Sequence, residues 1–175
     1  PDLIVNTGDT AHTKLQLSPA YFHMTAKFFE NLADIAPLHV ILGNHDLNLR
    51  NPGKIDAITP IIEALDHKDI HFHKFSQEVD LGNGFVLNIL SIIDEDKWIK
   101  PTDDSKVNIA LFHGSVAGVT TDTGWIMEHG DINIQQFKPF DYALLGDIHK
   151  TYQKLDDKGR VAYPGSLVQQ NFGES

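Results

Sequence analysis

Four short clusters in this chain carry acid, amide and imidazole side chains: Gly8-Asp9, Gly43-Asn44-His45-Asp46, His113-Gly114 and Gly146-Asp147-Ile148-His149. Such groups are hard and borderline donors, the set suited to manganese, iron or zinc. A carboxylate such as Asp9 can hold two cations at once, at the ~3.5–4 Å separation used in two-metal hydrolysis of phosphate esters. Asp147 and His149 stand two residues apart and point the same way in extended backbone. A lone Gly-Asp or Gly-Asn-His-Asp would be weak; four clusters in order are a specific signal.

Each cluster ends an apolar run that reads as a strand. Pro1 to Asn6 predicts a short buried strand before Gly8-Asp9, and Leu38 to Leu42 a second before Gly43. Val107 to Phe112 leads into His113, and Tyr142 to Leu145 into Gly146. Between the first two, Ser18-Pro19 supplies an N-cap and a first-turn proline. The helix it starts carries Phe22, Phe29, Leu32 and Ile35 at helical spacing, with Pro37 as its stop. Pro52 to His67 predicts a second amphipathic helix with Ile58, Ile61, Ile62 and Leu65 inward, started or kinked at Pro60. Strands follow at Ile70–Lys74, Glu78–Leu81 and Phe85–Ile93, with Gly82-Asn83-Gly84 as a turn, and a late hairpin turns at Asp156-Asp157-Lys158-Gly159. Alternating strands and helices give an α/β fold. In such sheets ligands bind beyond the carboxyl ends of the strands, so the four clusters are expected to converge on one site.

Composition narrows the chemistry. The chain has 175 residues, 14 Lys+Arg, 24 Asp+Glu, a net charge of −10 and no cysteine. A disulfide framework, a thiol nucleophile and a zinc–thiolate site are therefore excluded. The length supports one domain over residues 1–175. No apolar run approaches the ~20 residues of a membrane span, which makes the cytoplasm the default compartment and a membrane partner unexpected. The acidic balance argues against a broad basic face for nucleic acid, though not against a local metal-assisted site. Gly114-Ser115 lacks the Gly-x-Ser-x-Gly of a serine hydrolase.

With these motifs in this order, the chain resembles the calcineurin-like metallophosphoesterases over its whole length. Within them it is similar to the nuclease subunits of SbcCD-type DNA repair exonucleases, bacterial or phage. That narrower likeness rests on Leu144-Leu145-Gly146-Asp147-Ile148-His149-Lys150, Tyr163-Pro164-Gly165-Ser166-Leu167 and Phe172-Gly173-Glu174. The resemblance implies two mixed sheets packed as a sandwich and flanked by helices. It implies two divalent cations, manganese first with iron or zinc as alternatives. Asp9 would bridge them, Asn44, His113 and Asp147 would complete the second site, and His149 would bind the first. His45 would protonate the leaving oxygen or stabilise its charge, Asp46 would orient the loop or the imidazole, and a metal-acidified water would attack. Implied partners are DNA and an SbcC-type ATPase subunit, with a homodimer allowed.

Two departures shape the expectation. The family's last motif is Gly-His-x-His, and Asp147 stands in the first histidine's place, as a substituted ligand or as a rim carboxylate bonded to the backbone. No Asp-x-His precedes Asp9. The chain is thus expected to be a fragment lacking the first strand and the C-terminal capping region, with an incomplete first metal site and poor activity. A general or small-molecule phosphodiesterase and a non-catalytic scaffold are the rival readings. Gly8-Asp9 is followed by Thr10-Ala11-His12-Thr13 in place of the Asp-Arg-Gly of protein phosphatases, and His12 is either a DNA or ligand contact or a solvent-facing loop residue. His71 and His73 read as outward on a strand with Ile70 and Phe72 inward. His23, His39, His67 and His129 are expected at surface or satisfied core positions.

Overall fold

Strands form where the apolar runs lie, and they divide into two sheets. The computed structural model describes residues 1–12, 17–51, 53–121 and 123–168. Thr13, Pro52 and the Phe172-Gly173-Glu174 run fall outside these. Two compact units make up the chain, Pro1–Lys74 and Phe75–Ser175.

The first unit holds β1 (Ile4–Asn6), α1 (Pro19–Ala33), β2 (Leu38–Ile41), α2 (Thr59–Leu65) and β3 (Ile70–His73). Its three strands run parallel in the order β1-β2-β3, with Ile4 opposite Leu38 and Leu38 opposite Ile70. β1 is shorter than the apolar run and only half-buried, whereas all four residues of β2 are buried. The Ser18 hydroxyl caps α1 by accepting from the Tyr21 N–H at 3.1 Å. Its buried stripe is Thr25, Phe29 and Ala33, a strict four-residue spacing. Phe22, in the first turn of α1, and Ile35, past its C-cap Asp34, are expected inward and are exposed. The second helix is a single short element that begins at Thr59. Pro60, which lacks an N–H, fits only a first turn. Ahead of it the buried Asp56 carboxylate takes the N–H groups of Ile58 and Thr59, the Thr59 hydroxyl and the Lys74 ammonium, the last at 2.8 Å. Burial pushes this carboxyl up, but Lys74 and Thr59 outweigh it and hold it below the usual range.

The second unit holds β4 (Gln77–Gly82), β5 (Phe85–Leu90), β6 (Val107–His113), β7 (Tyr142–Gly146), β8 (Gln153–Lys154) and β9 (Val161–Tyr163). They form a mixed sheet in the order β4-β5-β6-β7-β9-β8, with β5, β6, β7 and β9 parallel and hairpins at both edges. Leu90, Phe112, Phe137, Leu145 and Tyr163 anchor its core, and Trp98 meets Phe112 edge-on at 5.0 Å. The whole is a mixed α/β fold with two sheets and few helices. Among the described residues no helix is long and apolar enough to cross a membrane.

One expectation fails in β3. Only His71 is outward; His73 is buried, and its Nε2 lies 2.9 Å from Nδ1 of the buried His39 on β2. Parallel strands bury both faces, so alternation does not mark a solvent face here. Burial first, then the neighbouring imidazoles, push His39 and His73 each down to about 4 from an ordinary 6.5. The unfolded chain therefore binds more protons than the folded one between those values. The stability held by this pair is complete above pH 6.5 and lost as pH falls toward 4. Asp56 acts the same way only below its ordinary value of 3.8. Urea unfolding at pH 7, 6 and 5 should show a loss of a few kcal/mol, and His73→Gln should flatten that slope.

Candidate functional site

Because β1 and β2 are parallel neighbours, their carboxyl ends share one edge of the first sheet. There the chain turns sharply, with Gly8 at φ 92° and Asp9 at φ 55°. Such turns leave backbone N–H groups without ladder partners. The Asp46 carboxylate, 1% exposed, supplies them. One oxygen accepts from the Asp9 and Gly43 N–H groups and the other from the Ala11 N–H, each at 2.8 Å. Asp46 thereby fastens the two loops to each other. Asp9 in turn accepts from the His45 N–H at 2.8 Å. Asn44, half-buried, sits between Gly43 and His45 on the same loop. The His45 ring is exposed, with Nδ1 2.8 Å from the His12 carbonyl. A carbonyl only accepts, so Nδ1 carries a proton in this contact and Nε2 is the ring nitrogen outside it.

The second unit repeats the plan. β6 and β7 are parallel neighbours, with His113 opposite Gly146. His113, 1% exposed, has Nε2 3.8 Å from a carboxylate oxygen of Asp147. The other Asp147 oxygen accepts from the Ser115 hydroxyl. Asp147 itself sits at φ 96°, a backbone region that side chains disfavour. Gly114 is obligatory beside it, since a Cβ there would come within 2.5 Å of the Phe112 ring. His149 is half-buried two residues on, and its carbonyl accepts from the Ser166 N–H at 2.9 Å. Gly165 fits under this loop for the same reason as Gly114: a Cβ would lie 2.7 Å from Thr151 Cα.

Tyr163 was not anticipated as part of the site. Fully buried, it donates its hydroxyl to the Gly114 carbonyl at 2.7 Å and accepts from the Val116 N–H at 2.9 Å. Burial, with the Asp147 charge adding to it, raises this phenol above its ordinary value against the lowering bond from Val116. Its sequence signal was the apolar strand leading into Pro164-Gly165, which marks a strand end but not a hydroxyl with two partners.

Residues 1–151 match the model of the calcineurin-like phosphoesterases. The chain belongs to that family. Among curated relatives, an uncharacterized protein of Acanthamoeba polyphaga mimivirus is 38% identical over 184 residues, or 99% of this chain. A protein of Invertebrate iridescent virus 6 named "putative phosphoesterase" is 26% identical over 189 residues, again 99% of this chain. The phosphoesterase chain spans 14% of the first relative's length and 61% of the second's. The family uses divalent metals, and the donor chemistry of this chain fits a divalent cation. In the second unit the 3.8 Å between His113 and Asp147 is a gap one cation can span with bonds of about 2.0–2.2 Å to each.

Removing the buried partners should loosen the loops without touching the donors. Asp46→Asn is expected to cost roughly 2–3 kcal/mol, since an amide offers one acceptor where three N–H groups converge. Tyr163→Phe should cost about 1–3 kcal/mol by stranding a carbonyl and an N–H. Urea denaturation of both variants checks this, and a change under 0.5 kcal/mol in either would contradict its role.

Proposed function

We propose that this phosphoesterase hydrolyses phosphodiesters, with DNA ends as substrate, as the nuclease subunit working beside an ATPase subunit. In this reading Asp9 and Asn44 of the first unit and His113, Asp147 and His149 of the second are the cation ligands. Manganese is the first choice, because carboxylate and amide oxygens make up most of the set. When bound, divalent cations supply Lewis acidity toward a phosphate oxygen and make water acidic enough to ionise near neutrality.

The observation that carries the reading is the fixed tautomer of His45. With Nδ1–H committed to the His12 carbonyl, only Nε2 can exchange a proton with a substrate. A protonated ring presents Nε2–H to a leaving oxygen, and the bond to His12 holds the imidazole in place throughout. Asp46 stays beneath the loops, with both oxygens on backbone amides, so it acts as a positioning residue. Support for the nuclease over a small-molecule substrate comes from the run Tyr163 to Ser166, which resembles SbcCD-type subunits and braces the His149 loop. The net charge of −10 favours the small-molecule reading instead.

Two measurements separate these. Manganese-dependent hydrolysis of bis-p-nitrophenyl phosphate and of linear duplex DNA should both be seen, and hydrolysis of the first alone would remove the nuclease assignment. His45→Ala should lower turnover ~10²–10⁴-fold while leaving manganese affinity within about twofold. A large loss of bound manganese would make His45 a ligand instead.

A further inference from the structure

Three imidazoles gather on one face of the first unit's sheet. His71 and His73 lie two apart on β3 and so share a face. His39 on β2 is the register partner of His71 and lies on that same face. The His39 and His73 rings are 15° from coplanar with centroids 5.2 Å apart, and their nitrogens are 2.9 Å apart. They therefore meet edge to edge, Nδ1 to Nε2. The His71 ring lies beside His39, at 4.8 Å between centroids. His39 and His73 are buried, 4% and 6% exposed, while His71 opens to solvent.

We propose that His39, His71 and His73 form a binding site for a zinc-class divalent cation, which clamps β2 to β3. An all-nitrogen set selects zinc, cobalt, nickel or copper over manganese and magnesium, which prefer oxygen. Tetrahedral zinc with bonds of ~2.0–2.1 Å holds its nitrogens about 3.3 Å apart, so the His39–His73 contact opens by a few tenths of an ångström and each ring tilts off the line between the nitrogens to face the metal. The proton now shared between them shifts to the far nitrogen of the donor ring, and no net proton is released. His71 reaches the cation by turning its exposed ring, and water completes the shell from the solvent side. Both buried rings are neutral at pH 7, so once that proton has moved each offers one nitrogen lone pair to the metal. β2 runs directly into Gly43-Asn44-His45-Asp46, so the clamp would hold the base of that loop.

Calorimetry with Zn²⁺ on the full chain, in saturating Mn²⁺ to fill oxygen-rich sites, tests the proposal. One zinc per chain should bind, with a higher unfolding midpoint and a tetrahedral Co²⁺ absorption band on cobalt substitution. His71→Ala, at an exposed position, should weaken zinc at least tenfold while manganese affinity holds; His73→Gln should do the same. Should His73→Gln fail to fold, His71→Ala decides alone. The proposal is overturned by no zinc binding above saturating manganese, by unchanged zinc affinity in His71→Ala, or by loss of the zinc in His113→Ala instead.

Discussion

Every strand that delivers a donor here stops abruptly, and the backbone N–H groups at that stop lose their ladder partners in surroundings with little water. An unpaired buried amide costs on the order of 1–3 kcal/mol, so each unit must supply an acceptor from elsewhere in the chain. In the first unit the Asp46 carboxylate does so for Asp9, Ala11 and Gly43 together. In the second, the Tyr163 hydroxyl answers the Val116 N–H and uses its own proton on the Gly114 carbonyl. The position of the donors is thus decided by groups that need not touch a substrate. Charge enters where three N–H groups converge, and a neutral hydroxyl suffices where one N–H and one carbonyl remain.

The same economy fixes which atoms face outward. Asp46 is spent on backbone amides, and His45 keeps one nitrogen on the His12 carbonyl and the other for solvent. A histidine on a flexible loop would interchange tautomers; here the choice is made before any ligand arrives. β1 runs parallel to β2 and β6 to β7, so donors from these neighbouring strands meet at one edge of each sheet. An antiparallel pairing of β1 with β2, or of β6 with β7, would have sent them to opposite edges.

Much of this was legible because it is local. Ser18-Pro19, the buried run Leu38–Ile41 and the Asn83-Gly84 hairpin each carry their own chemistry within a few residues. The four clusters were readable for the same reason, each being a contiguous break at the end of an apolar run. What escaped was set by tertiary neighbours. Phe22 and Ile35 are apolar at plausible helical spacing, but Phe22 sits in the exposed first turn and the helix ends at Ala33, before Ile35. Alternation places His71 and His73 on one face, but only tertiary packing against the buried His39 covers that face at His73 while leaving it open at His71. Tyr163 lies 47 residues from Val116 and 49 from Gly114, separations at which no local pattern speaks.

Asp147 is where local and tertiary demands pull apart. At φ 96° a glycine would sit without strain, and asparagine would be the next easiest choice. A carboxylate there costs of order 1–3 kcal/mol. It also brings a negative charge within 3.8 Å of His113, too far for a direct hydrogen bond. Its second oxygen is held by Ser115, and it accepts no backbone N–H among the described hydrogen bonds, unlike Asp46. A rim residue retained to cap the turn would be expected to bond its own loop's amides. A strained carboxylate aimed at an imidazole, and steadied by a hydroxyl from the strand end next door, is instead arranged for its side chain. The proposal that Asp147 is a cation ligand rests on that arrangement.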